Sequence, residues 1–204
     1  MATHDARLAH DDAGEGVPLL LIHGFPLDRT VWRPQVEGLA DRARVVAADL
    51  RGFGSSPAVD RRVMTMDAYA GDLARLLEGL GIDEAVVCGL SMGGYVALAL
   101  AEKRPKLLRG LILANTRSGA DSEEAREGRR ETAERALGGE VSVIADAMLP
   151  KMLSAATREA RPDLAEGVHR MMASQSPSAV AAALLGMAER PDRTSVLESL
   201  RVPV

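Results

Sequence analysis

The chain has 204 residues, 47% of them hydrophobic, enough to bury one sizeable core within a single domain. A net charge of −4 and a supply of only two Phe, two Tyr and one Trp exclude the broad basic field and stacking surface of a nucleic-acid binder. One cysteine, Cys88, excludes an intramolecular disulfide and a cysteine-rich zinc site. The apolar run from Val17 to Ile22 is too short for a signal core or a membrane span, so a cytoplasmic protein without membrane partners is expected.

Taken in chain order, Val17 to Ile22 reads as a strand buried on both faces of a parallel sheet, ending at His23-Gly24. A short helix is expected from Val31 to Leu39 and a second buried strand from Arg44 to Ala48, closed by the turn-rich stretch Asp49 to Pro57. Met66, Tyr69, Ala70, Leu73, Leu76, Leu77 and Leu80 recur at helical spacing with charges between them, as on a helix lying on a sheet. Ala85 to Gly89 is the next strand. Met92 to Ala101 carries no charge and predicts a buried helix, stopped by Glu102-Lys103-Arg104-Pro105. Leu107 to Ala114 completes a strand and helix alternation that implies a doubly wound, mostly parallel α/β sheet with right-handed crossovers. Beyond Asn115 the pattern turns helical, from Asp121 to Leu200, with a charged helix over Glu123 to Arg135 and another starting at Ser176-Pro177. The expected division is therefore a core over residues 1–118, a helical lid over 119–200, and the start of a further core strand at 201–204.

Chemistry concentrates at Gly89-Leu90-Ser91-Met92-Gly93, a G-x-S-x-G sequence between a predicted strand and a predicted helix. A turn this sharp strains the serine backbone and crowds positions two residues away on either side, and Gly89 and Gly93 remove that crowding. Ser91 is thereby presented as a nucleophile. The Met92 amide, opening the helix, supplies one half of an oxyanion hole, and the amide of Phe25, in the turn after the first apolar strand, is the candidate for the other half. Gly24, Leu27, Trp32, Leu90, Met148 and Met152 are the candidate substrate-pocket residues. His23 is expected to brace the oxyanion turn, Asp49 and Arg51 to fix their loop, Cys88 to be a core thiol, and His169 to face solvent.

The segments His23-Gly24-Phe25-Pro26-Leu27-Asp28, Asp49 to Ser56, and Gly89 to Gly94 resemble the α/β-hydrolase family, and most closely its small esterase and enol-lactonase-like members. The resemblance implies an acyl-enzyme reaction on small esters or lactones, with no cofactor or metal. Epoxide hydrolases and haloalkane dehalogenases share the fold but resemble proteins with an aspartate at the elbow, where this chain has Ser91. The resemblance also implies a catalytic acid after the strand that follows the lid and a base histidine further on, so Val204 precedes both, and the chain by itself is expected to be incomplete and nearly inactive. The other place some relatives use for the acid holds Asn115, which is neutral. Two further readings keep the fold: a non-catalytic ligand-binding or signalling member, and a lyase or perhydrolase.

Overall fold

The computed structural model describes residues 8–204. Its five strands are β1 (His10–Ala13), β2 (Pro18–Ile22), β3 (Arg44–Ala48), β4 (Ala85–Leu90) and β5 (Leu108–Ala114), ordered β1-β3-β2-β4-β5. Only β1 runs antiparallel, pairing His10 with Ala48 and Ala13 with Val45; the other neighbours are parallel. Successive side chains of a strand face opposite ways, and here both faces are covered. Leu21, Val45, Ala47 and Cys88 face helix α1 (Arg33–Leu39), while Leu20, Ile22, Val46, Ala48 and Val87 face the larger core.

That larger core is closed by α2 (Met66–Gly79) and α3 (Met92–Lys103). Thr65 caps α2, its hydroxyl accepting the Ala68 N–H at 3.1 Å, and Asp67 lies in the first turn, where the helix dipole favours negative charge. The face Met66, Tyr69, Ala70, Leu73, Leu76 and Leu77 is buried, as its spacing predicts. In α3 every residue from Met92 to Ala101 is buried, so the uncharged stretch marks the central helix of the molecule.

After β5 come six helices: α4 (Glu123–Leu137), α5 (Val141–Met152), α6 (Ala155–Ala160), α7 (Pro162–Ala173), α8 (Pro177–Ala188) and α9 (Thr194–Ser199). They divide into two groups. Helix α8 is apolar nearly all round and buried. It packs on α4 and joins the main core, Ala182 O accepting the Met64 N–H at 3.0 Å, and Val196 of α9 enters the same core. Helices α5 and α7 instead close an apolar cluster over the carboxyl end of β4 and the turn after β2, where Ala145, Met172, Met148 and Met152 meet Leu27 and Leu90. Buried ion pairs tie α4 and the end of α8 together and to α3. Asp121 accepts from Arg190 at 2.7 Å and from Arg129 at 2.6 Å, and the Arg190 guanidinium stacks 4.1 Å over the Tyr95 ring. On the solvent face of α4, Arg130 pairs with Glu127 at 2.7 Å, whereas Arg135 reaches Glu140 at 3.0 Å. Residues 201–204 form no regular strand; they lie along β5, with the Leu111 N–H donating to Pro203 O at 2.9 Å.

Candidate active site

β4 ends at Leu90, α3 begins at Met92, and Ser91 alone makes the turn, with φ 52° and ψ −111°. A non-glycine residue there is strained by about 1–3 kcal/mol and persists only where its surroundings hold it. Three hydrogen bonds do so. The Ser91 N–H donates to Ala114 O at 2.9 Å, and its carbonyl accepts from the Gly94 N–H at 2.9 Å and the Thr116 hydroxyl at 2.7 Å. The flanking glycines are required by close approach: a Cβ on Gly89 would lie 2.6 Å from the Gly94 Cα, and one on Gly93 would lie 2.7 Å from His23 O. The elbow is thus wedged between β2 and β5, leaving the Ser91 side chain part-exposed.

The turn after β2 comes up against it. A Cβ on Gly24 would sit 3.5 Å from the Ser91 Cβ and 3.2 Å from Leu90 O. His23 braces this turn from beneath. Its Nε2 accepts the Leu50 N–H at 3.0 Å, so its Nδ1 carries the proton and donates to Gly24 O at 2.9 Å. Burial of the ring pushes its pKa below the ordinary value, against the opposing Gly24 carbonyl bond and the Asp49 charge. A neutral imidazole with both nitrogens occupied is a strut and has no lone pair for a nucleophile. Next in the turn, the N–H of buried Phe25 has no hydrogen-bond partner among the described residues, and neither has the N–H of buried Met92. Unpartnered amides of buried residues are rare; Met92 directly follows Ser91, and Phe25 directly follows Gly24, which abuts it.

Of the expected pocket residues, Leu27, Leu90, Met148 and Met152 share the apolar cluster under α5 and α7, and Gly24 abuts the elbow. A cavity of about 450 Å³ opens beside Phe25, walled by Ile144, Met148 and Leu184. Trp32 does not join the methionines. It packs with Leu21, Val45, Ala47 and Cys88 on the α1 side of the sheet, because its short helical turn folds down over that face. Burial pushes the Cys88 thiol up, away from thiolate chemistry.

Asp49 and Arg51 have the loop-fixing contacts expected of them. Fully buried Asp49 accepts the Arg29 N–H at 2.7 Å and the Ser55 N–H at 2.8 Å, and Arg51 pairs with Asp72 at 2.7 Å. His169 differs from expectation: it is half-buried, its Nε2 2.8 Å from Asp146 across α5 and α7. His10, on the edge strand, has its Nδ1 2.9 Å from Leu8 O, and His4 lies outside the described residues. Sequence reasoning missed Thr116, which clamps Ser91, and Gln175, whose amide oxygen accepts the Gly54 N–H at 3.0 Å and ties α7 to the loop after β3. The positive φ of Asn115, 44°, suits an Asn after a strand and is the one local signal for the Thr116 clamp.

The chain is similar in sequence and in fold to known proteins. The family described as alpha/beta hydrolase fold matches residues 17–149. A thermophilic esterase from Thermogutta terrifontis, solved with malate bound, is 49% identical with a TM-score of 0.93, covering 96% of this chain and 72% of that one. The enol-lactonase from Burkholderia xenovorans LB400 is 27% identical with a TM-score of 0.88, over 96% of this chain and 75% of that one. Haloalkane dehalogenase 2 of Mycobacterium tuberculosis H37Rv is 34% identical over 110 residues, 54% of this chain and 38% of that protein. The matched stretch spans less than half the length of the curated relatives it aligns with first. Among the described residues, no helix is long and apolar enough to cross a membrane.

Proposed function

The chain belongs to the α/β-hydrolase fold family, and on that premise we propose that it is the nucleophile-bearing part of a serine hydrolase acting on small carboxylic esters or lactones. The observation that carries this reading is the elbow: Ser91 at φ 52°, followed at once by the unpartnered amide of Met92 and abutted by Gly24, whose neighbour Phe25 has the other unpartnered amide. In the proposed reaction Ser91 Oγ attacks the substrate carbonyl, the two amides receive the developing oxyanion, the alcohol leaves, and water clears the acyl-enzyme. Amides already fixed in place need no reorganisation as charge develops, which makes each worth roughly 3–4 kcal/mol of barrier by analogy with measured deletions.

His23 is not the base in this reading, since both of its ring nitrogens are occupied. The similarity to a haloalkane dehalogenase does not carry over to the reaction, because the family's dehalogenases resemble proteins with an elbow aspartate and Ser91 has no carboxylate to alkylate. The similar esterase and enol-lactonase support an oxygen-acyl substrate.

The test uses the full-length gene product and a short-chain aryl ester. Ser91→Ala is expected to lower kcat by on the order of a millionfold, as loss of the nucleophile does in a well-studied triad enzyme. A fluorophosphonate probe should label Ser91 in the parent only. Turnover by the Ser91→Ala protein at the parent rate would overturn the proposal. Residues 1–204 alone are expected to hydrolyse the ester no faster than Ser91→Ala does.

A further inference from the structure

The two amides proposed to hold the oxyanion belong to peptide units whose other ends are already engaged. In a trans peptide the C=O and N–H point in opposite directions and turn together, so whatever holds the carbonyl aims the amide. The Met92 N–H shares its peptide with Ser91 O, and the Phe25 N–H shares its peptide with Gly24 O. Each of these carbonyls accepts two hydrogen bonds. Gly24 O accepts the Leu27 N–H at 2.9 Å and the His23 Nδ1–H at 2.9 Å; Ser91 O accepts the Gly94 N–H at 2.9 Å and the Thr116 hydroxyl at 2.7 Å. In each pair one bond closes a local turn and the other comes from a side chain. For Gly24 that side chain is on the neighbouring residue, but for Ser91 it is 25 residues away, just past the end of β5.

Of the two, Ser91 has the strained backbone, and rotation about its ψ of −111° would swing its carbonyl and the Met92 N–H together. The Gly94 bond spans only the first turn of α3 and moves with that helix, whereas the Thr116 hydroxyl ties the carbonyl to the end of β5. Thr116 is itself held close: a Cβ on Gly94 would stand 2.6 Å from the Thr116 Cβ. A hydrogen bond accepted at the carbonyl also polarises the peptide and strengthens the donor at its far end. We propose that Thr116 is a positioning residue of the reaction: its hydroxyl, bonded to Ser91 O, aims and polarises the Met92 amide toward the developing oxyanion without touching substrate. The inference rests on the serine-hydrolase reading and adds to it the group behind the oxyanion hole. Removing one oxyanion donor costs about 100- to 1000-fold in kcat, and a neighbouring bond alters a donor's strength by roughly 10–30%. Loss of the Thr116 hydroxyl therefore costs kcat about two- to eightfold through polarisation alone, and more where the peptide also turns.

The experiment follows a short-chain aryl ester in the full-length gene product. Thr116→Ala and Thr116→Val, which lack the hydroxyl, should lower kcat by about three- to tenfold with KM within about twofold of the parent. Thr116→Ser, which keeps the hydroxyl, should stay within about twofold of the parent in both. The second readout is a trifluoromethyl ketone carrying the same acyl chain, which adds to Ser91 as a hemiketal oxyanion. Its Ki should rise as kcat falls in the Ala and Val proteins and not in the Ser protein, whereas the Ki of the matching secondary alcohol, which forms no adduct, should not move. Hydroxyl-free variants with parental kcat and ketone Ki, a fall in kcat with the ketone Ki unmoved, or a Ser protein as impaired as the Ala protein each overturn the inference. Should neither hydroxyl-free variant fold, Thr116→Cys decides, because a thiol is the weaker donor: a kcat below that of Thr116→Ser supports the inference and an equal kcat overturns it. A parent that hydrolyses no ester fails the hydrolase reading and takes the inference with it, whereas an active parent with unaffected variants fails the inference alone.

Discussion

Replacing Gly93 by alanine adds one methyl group, and its effect can be worked out from the contacts around it. The residue is helical, so alanine suffers no backbone strain and would ordinarily favour the helix by about 0.5–1 kcal/mol. The new Cβ, however, would stand 2.7 Å from His23 O and closer still to Ile22 O, both backbone atoms of the central sheet and its oxyanion turn. Relieving the tighter of these contacts to an ordinary 3.4 Å means moving the start of α3 away from β2 by about 1 Å. Neither neighbour is a flexible side-chain tip, so the strain is not relieved cheaply. Overpacking of this kind costs about 1–3 kcal/mol, which for a protein of this size lowers Tm by roughly 3–10 °C. The same displacement separates the Met92 amide from the Phe25 amide. Misplacement of about an ångström at a reacting centre costs on the order of a hundredfold, so kcat on a short-chain ester should drop by about 10- to 100-fold with less change in KM. Gly167→Ala is the control, because that glycine sits within α7 with no atom within 4 Å of a new Cβ. It should raise stability by about 0.5–1 kcal/mol. Calorimetry and steady-state kinetics on the full-length gene product measure both. A Gly93→Ala protein as stable and as active as its parent would refute the reasoning that the elbow is wedged against β2.

Asp121→Asn removes the charge partner of Arg190, whose side chain is only 2% exposed, and should destabilise by about 3–5 kcal/mol in denaturant unfolding. Combining Asp121→Leu with Arg190→Met, which replaces the pair by apolar side chains, should recover most of that loss; failure of both expectations would mean the pair is solvent-screened. His23 is neutral when folded and free to protonate when unfolded, so below its ordinary value of 6.5 the unfolded chain binds the extra proton. Stability should therefore be flat from about pH 8 to about pH 7 and then fall towards a slope of about 1.4 kcal/mol per pH unit, the slope that one proton sets, with urea midpoints as the measure. Midpoints that stay level down to about pH 5.5 would show that His23 protonates freely in the folded state.

Much of this molecule is legible in its sequence because the causes are local. Buried strands announce themselves as apolar runs, and α2 by its spacing of Met66, Tyr69, Leu73 and Leu77. The elbow follows from Gly89, Ser91 and Gly93 alone, since a turn between strand and helix collides with its own chain within a few residues. Other features depend on partners far away in the chain. Nothing near Arg117 reveals the cavity it borders, because α4 and α5 form the other walls. Asp121 and Arg190 stand 69 residues apart, and Gln175 and Gly54 stand 121 apart, so neither pairing leaves a periodic or motif signal. The sequence neighbours of Trp32 point it to the pocket, yet a tryptophan at a loop end can bury its ring on either side of a sheet, and the descent of its turn onto Leu21 and Val45 chose the α1 side. The sequence by itself determined the four parallel strands, the central helix and the serine at the turn, all set by contacts within one element and its caps, but not the antiparallel edge strand β1. Tertiary structure alone decided which turn meets that serine, which helices pack against Leu27 and Leu90 beside it, and which distant charges pair, because those depend on surfaces that adjoin only once the sheet has closed.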